Sequence, residues 1–224
     1  MKLIKAHPIV ETPARNSESG RTVIETLIVI TIACLLTSVA VPQMIAGRRL
    51  LRSANLPREI AAQMRYTRQQ AMSQRQAFTF QYDNSTKTIR IFDHNNTSCN
   101  MTGVEVLSAP GYPNTACTTT VLTMPMATGG GLPASELSYG IPSGISSTTL
   151  DDGNTMTALT GSVINITFQP NGTVVDTLGN YAKPAIFLYN NQVPTETAVA
   201  VSVLGGAGRI KVWRYSASAS KYAE

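Results

Sequence analysis

The 224-residue sequence predicts an α+β fold: a long N-terminal helix, membrane-spanning in its first half, packed on an antiparallel β-sheet domain. Three observations predict it. Residues 20–41 are almost wholly apolar and helix-compatible, and about 20 residues at 1.5 Å rise reach roughly 30 Å, the thickness of a bilayer core. Further on, Leu56, Ile60, Met64, Thr67 and Ala71 recur at the three- and four-residue intervals of one helix face. From Phe78 onward, short runs alternate apolar and polar residues between turn-forming clusters, as half-buried strands do.

Taken in order, residues 1–20 are polar, contain proline and mix Lys2, Lys5 and Arg15 with Glu11 and Glu18, which reads as a cytoplasmic leader peptide. Arg48, Arg49 and Arg52 lie beyond the other end of the apolar span, so charge counting alone leaves orientation open. The span holds one carboxylate, Glu25. A lone charge at a bilayer centre costs ~2.5–3.5 kcal/mol or more, so Glu25 either sits close enough to the interface to be wetted or has a function. The helix is expected over residues 21–76, in the membrane over about 21–42, kinked rather than ended by Pro42 and disturbed again by Pro57. Arg58, Arg65, Arg68 and Arg75 fall on another face, which reads as a solvated surface or as a contact for neighbouring subunits or polyanions.

Residues 77–224 read as a β-rich globular domain. Phe78, Phe80 and Tyr82, a turn at Asp83-Asn84-Ser85, then Ile89 and Ile91 predict a hairpin. Residues 95–161 are rich in Gly, Pro, Ser, Thr and Asn, with strand candidates at 104–107 and 121–124, and read as a long decorated insertion. Gly129-Gly130-Gly131 lacks the context of a phosphate loop. Asp151-Asp152-Gly153-Asn154 lacks the spaced carboxylates of a calcium loop and reads as a turn. Strands follow at 163–168, 185–189 and 198–203, with a tight Pro170-Asn171-Gly172 turn after the first. Gly205-Gly206-Ala207-Gly208 then turns the chain into a last strand, where Arg209 and Lys211 alternate with Ile210 and Val212 before Trp213, Arg214 and Tyr215.

Charged residues make up 14% of the chain, below the ~25% usual for soluble proteins. Ser, Thr, Asn and Gly take their place, which suits an extracytoplasmic β-rich surface. The net charge of +5 serves solubility or favours acidic partners. Of three cysteines, Cys34 lies in the apolar span, while Cys99 and Cys117 can close a loop as a disulfide if the domain lies outside the cytoplasm. Metal binding is disfavoured, because His7 and His94 are the only histidines and a structural zinc site wants four Cys/His ligands. No nucleophile elbow, dinucleotide fingerprint or paired His/carboxylate spacing points to an enzyme or to a cofactor.

The order Gly20, Arg21, Thr22, Val23, Ile24, Glu25, an aliphatic run and Pro42 resembles the class III signal of type IV prepilins and type II secretion pseudopilins. The resemblance implies that a prepilin peptidase cuts after Gly20 and methylates the new N-terminus, Arg21, where the family usually has phenylalanine. It implies an inner-membrane subunit, single-pass, with its N-terminus cytoplasmic and its globular domain periplasmic until it enters a filament. Glu25 becomes the assembly residue, paired with a neighbour's free α-ammonium. In the C-terminal third, Phe168, Pro170 and Gly172, an aliphatic strand, a valine-rich strand and Gly208-Arg209-Ile210-Lys211 resemble the GspH/FimT family of minor pseudopilins and minor pilins. Together the two resemblances cover about residues 20–92 and 163–213.

Two functions follow from the resemblance. The first is a minor pilin or pseudopilin of a type IV pilus or type II secretion pseudopilus, assembling with other pilin subunits at the initiating tip. The alternative is a FimT-type subunit that captures DNA through a basic C-terminal strand. Arg209, Lys211, Trp213 and Arg214 are the candidates for that role, the lysine lacking the bidentate fork of an arginine, and Trp213 and Tyr215 could stack on bases.

Overall fold

A computed structural model describes residues 22–94, 119–126, 132–145, 150, 155–159, 161–175 and 180–224. Gly20, Arg21, Cys99, Cys117, the strand candidate at 104–107, the glycine run at 129–131 and the acidic turn at 151–154 lie outside the described residues. The chain divides into two units, Met1–Met44 and Ile45–Glu224.

Helix α1 spans Val23–Ser53 and passes through Pro42 without ending. Thr22 starts it: its carbonyl accepts the Glu25 N–H at 3.0 Å and the Thr26 N–H at 3.2 Å, and its hydroxyl lies 3.4 Å from the Glu25 nitrogen. Helix α2 spans Leu56–Gln74 and carries Pro57 in its first turn. The continuous helix expected over 21–76 is therefore interrupted at Ala54 and Asn55. Proline at position 57 cannot donate to residue 53 and its ring crowds that carbonyl, so the chain restarts a helix where the missing N–H costs nothing. Arg75 closes α2 in the left-handed region (φ 55°), and its N–H returns to the Ala71 carbonyl.

Among the described residues ten strands follow: β1 Phe78–Asp83, β2 Thr88–Asp93, β3 Thr119–Pro125, β4 Leu137–Tyr139, β5 Thr157–Ala158, β6 Val163–Phe168, β7 Pro184–Asn190, β8 Val199–Leu204, β9 Arg209–Ser216 and β10 Lys221–Ala223. A short helix α3, Pro194–Thr197, joins β7 to β8. They form two sheets. One has the order β3-β2-β1-β6, all antiparallel. The other has the order β10-β9-β8-β7-β4, antiparallel along that path, with β5 added parallel to β7. This is the α+β, helix-on-antiparallel-sheet class read from the sequence, built as two sheets among the described residues.

The periodicities lead directly to the core. Leu56, Ile60, Met64 and Ala71 of α2 pack in one cluster with Phe78, Phe80, Ile91, Ile166 and Phe168 of the first sheet and Val201, Val203 and Ile210 of the second. Thr67 shares the buried helix face and satisfies its hydroxyl on the Gln63 carbonyl at 2.7 Å. A second cluster covers the opposite face of the larger sheet, where Ile145, Leu150 and Met156 pack with Ala185, Phe187, Ala200, Trp213 and Tyr222. The segment expected as decoration thus contributes three strands and part of both cores, since Met126, Leu132 and Leu137 join the first. A sheet buried on both faces needs such a second layer.

Candidate functional site

Two regions carry the residues singled out by the sequence: α1 and strand β9. On α1, Val23, Ile24, Leu27, Ile28, Val29, Ile30, Leu35 and Leu36 are exposed, Val23 at 85%. The helix is long and apolar enough to cross a membrane. Three of its hydroxyls suit an apolar surrounding because they bond back along the helix: Thr31 to the Leu27 carbonyl at 2.8 Å, Thr37 to Ala33 at 2.6 Å and Ser38 to Leu35 at 2.8 Å. Each hydroxyl proton is satisfied without a partner from outside, which lowers the cost of placing it in hydrocarbon. Cys34 is a free thiol on this helix.

Glu25 stands in the first turn of α1, where a carboxylate faces the positive end of the helix dipole, a favourable placement of about 0.3–1 kcal/mol at a surface. Its backbone N–H is tied to Thr22 as described, one half of a Thr-x-x-Glu capping box. That half was legible in the spacing of Thr22 and Glu25 and was missed. From Val23 to Gly47 the sequence holds no other charged side chain.

Strand β9 lies within its sheet, a structural strand with Ile210 and Val212 toward the core. It is flanked by β8 on one side and, at its end, by β10, through Tyr215 opposite Tyr222 and Arg214 opposite Ala223. Alternation puts Ile210 and Val212 on the α2 side of the sheet and Trp213 and Tyr215 on the other. By the same parity Arg209 and Lys211 share the Trp213 face, and Arg214 belongs to the opposite one. Lys211 ion-pairs with Glu224, and its Nζ lies 4.7 Å from the centroid of the Trp213 ring. Arg209 and Arg214 are exposed.

The stacking role expected for Trp213 is contradicted by its burial: the ring is 0% exposed and its Nε1–H donates to the Ser202 hydroxyl at 2.7 Å. Tyr215 is half-buried and meets Tyr222 edge-on, ring centroids 5.4 Å apart. Both aromatic rings pack against the protein's own second core, leaving Trp213 no face for a base.

Among the α2 arginines, Arg58, Arg65 and Arg75 are exposed, as expected of a solvated face. Arg68 departs from it. Its Nε–H donates to the Gly172 carbonyl at 3.1 Å and an Nη2–H to the Ala207 carbonyl at 3.0 Å. His94 directly follows β2, and its Nε2 lies 2.7 Å from the Thr79 hydroxyl, which is also 2.7 Å from that of Thr167. Burial pushes the His94 imidazole down to about 4. Among the described residues, no three His, Cys, Asp or Glu side chains gather as a metal site.

No family model matches the chain, and no curated protein does. Two solved structures are similar, both of the type IV minor pilin FimU of Pseudomonas aeruginosa. One is 19% identical, covers 70% of this chain and 84% of that chain, and has a TM-score of 0.39. The second is 17% identical, covers 71% of this chain and 90% of that chain, and has a TM-score of 0.36. Likeness at this level establishes neither family nor function for this chain.

Proposed function

We infer that this chain is a membrane-anchored filament subunit, a minor pilin or pseudopilin of a type IV pilus or a type II secretion pseudopilus. The observation that carries this reading is α1 itself: an exposed apolar helix with three hydroxyls bonded back along it and a single carboxylate in its first turn. A surface of that kind requires a bilayer or other apolar helices around it. A prepilin peptidase releases residues 1–20 and methylates Arg21. The subunit then waits in the inner membrane, with its globular domain in the periplasm.

Assembly moves α1 from lipid to a bundle of neighbouring helices. Between these two apolar surroundings the hydrophobic effect changes little, so a polar contact can set the register. A carboxylate beside an α-ammonium is far cheaper to hold in such a place than either ion alone, provided the geometry is good. Glu25, within the first turn, is the group able to make that pair with the N-terminus of a neighbour. Cys99 and Cys117 form a disulfide in the oxidising periplasm; non-reducing peptide mapping of exported protein would show that pairing.

The test is replacement of Glu25 by glutamine in cells that assemble the filament. Membrane insertion should be unchanged and the amount of subunit recovered in sheared filaments should fall. Equal recovery of variant and wild type removes Glu25 from assembly, and absence of the wild type from filaments removes the subunit role.

A further inference from the structure

The last turns of α1 carry two faces of opposite character. One is docked: Arg49 Nε lies 3.7 Å from Glu136 Oε1, and Ser53 is buried. Glu136 is itself held, its other oxygen accepting the Asn190 Nδ2–H at 3.1 Å. This fixes which side of the helix end faces the sheets. The other face holds Ile45, Arg48, Leu51 and Arg52, all exposed, Leu51 at 74%. No acidic residue occurs between Ile45 and Arg58, and among the described residues neither Arg48 nor Arg52 has an ion pair. An exposed leucine between two free guanidinium groups is a poor solvent-facing surface and a good interfacial one. Arginine stems lie along apolar surface while their heads reach polar ligands, and the guanidinium fork matches a phosphodiester bidentately.

Residues 43–47 separate Pro42, where the expected membrane span ends, from Arg48 on the same helix, a rise of about 9 Å, within reach of the headgroup layer. We propose that Arg48 and Arg52 bind the phosphodiester headgroups of anionic phospholipids on the globular-domain side of the membrane, with the exposed Leu51 beside them. The contact sets the depth and rotation of the waiting subunit. Entering the filament then requires giving up this lipid contact, so it opposes premature extraction. The proposal rests on the membrane-anchor reading of α1.

The test uses the full-length protein in vesicles of phosphatidylcholine alone and mixed with phosphatidylglycerol. Flotation with the vesicles reports the anchor. Native mass spectrometry of protein extracted from the mixed vesicles reports retained lipid. Wild type should float with both vesicles and retain phosphatidylglycerol over phosphatidylcholine, by about fivefold for each arginine at the surface, and salt should weaken this. Arg48→Gln/Arg52→Gln should float equally and retain both lipids alike, while Arg48→Lys/Arg52→Lys keeps part of the preference. A floating wild type without preference, or a double glutamine variant that keeps it, overturns the proposal alone. Failure of the wild type to float overturns the anchor reading with it. Loss of the preference on adding inorganic phosphate at matched ionic strength would assign the arginines to free phosphate and also overturn it.

Discussion

Arg68 donates its Nε–H to the carbonyl oxygen of Gly172 at 3.1 Å, joining α2 to a turn 104 residues away. The same guanidinium reaches the Ala207 carbonyl at 3.0 Å, so one side chain ties the turn after β6 to the turn before β9. Those turns meet closely. A Cβ on Gly208 would lie 2.0 Å from the Gly172 oxygen, and one on Gly205 would lie 2.1 Å from the Ala182 oxygen. Gly205 also donates to that oxygen at 2.8 Å and accepts the Val174 N–H at 3.0 Å. The glycines of these turns are thus required by close approach of backbone, and Arg68 caps the carbonyls that the approach gathers.

Removing this clamp should therefore cost stability. Arg68→Ala loses two hydrogen bonds from a charged donor, roughly 2–4 kcal/mol together, measured as a shift in the urea midpoint of the purified protein. Arg68→Lys recovers only part, since an ammonium cannot span both carbonyls as the planar fork does. Gly208→Ala should be worse than Arg68→Ala, because it meets the Gly172 backbone and forces alanine to φ +59°. An Arg68→Ala midpoint equal to wild type would show that the clamp contributes nothing.

The buried histidine gives the domain an acid limit. Burial holds His94 at about 4 in the folded protein, against about 6.5 in an unfolded chain. Between these values the unfolded chain binds the proton and the folded one does not, so stability falls as pH is lowered from about 6.5 toward 4. His94→Gln should flatten that part of the stability profile while leaving the values above pH 7 less affected. A profile with the same slope in the variant would place the acid sensitivity elsewhere.

Much of this architecture was legible as periodicity, and the gaps have physical causes. Leu56, Ile60, Met64, Thr67 and Ala71 were read as one helix face, and all are buried. Phe78, Phe80, Tyr82, Ile89 and Ile91 were read as the apolar positions of a hairpin, and all are buried. Alternation reports only one face, however, so it could not show that Thr79 and Gln81 are buried as well. Arg68 looked like its exposed neighbours because a bond to a carbonyl 104 residues away leaves no local pattern. Trp213 looked available because a charged strand reads as exposed; its burial depends on Ile145, Leu150 and Met156, which come from a segment without clear periodicity. At Pro57 the expected disturbance was correct in kind, but the interruption falls upstream at Ala54 and Asn55.

Strand β9 should behave as structure in mutational tests. Trp213→Ala empties a buried site and should cost about 3–5 kcal/mol. Lys211→Gln should cost no more than about 1 kcal/mol and should leave any affinity of the protein for duplex DNA unchanged, because Lys211 is already paired with Glu224. A salt-sensitive mobility shift of DNA that weakens in Lys211→Gln alone would contradict this and restore the DNA-capturing alternative.

If α1 is the anchoring and assembling helix of a filament subunit, it is presented only after processing. The direct measurement is the mass of the N-terminal peptide from membrane-extracted protein, made in cells with an active prepilin peptidase. The expected mature terminus is Arg21, with Glu25 fifth. An intact Met1 terminus, or a cut that leaves Glu25 at any other position, would contradict it.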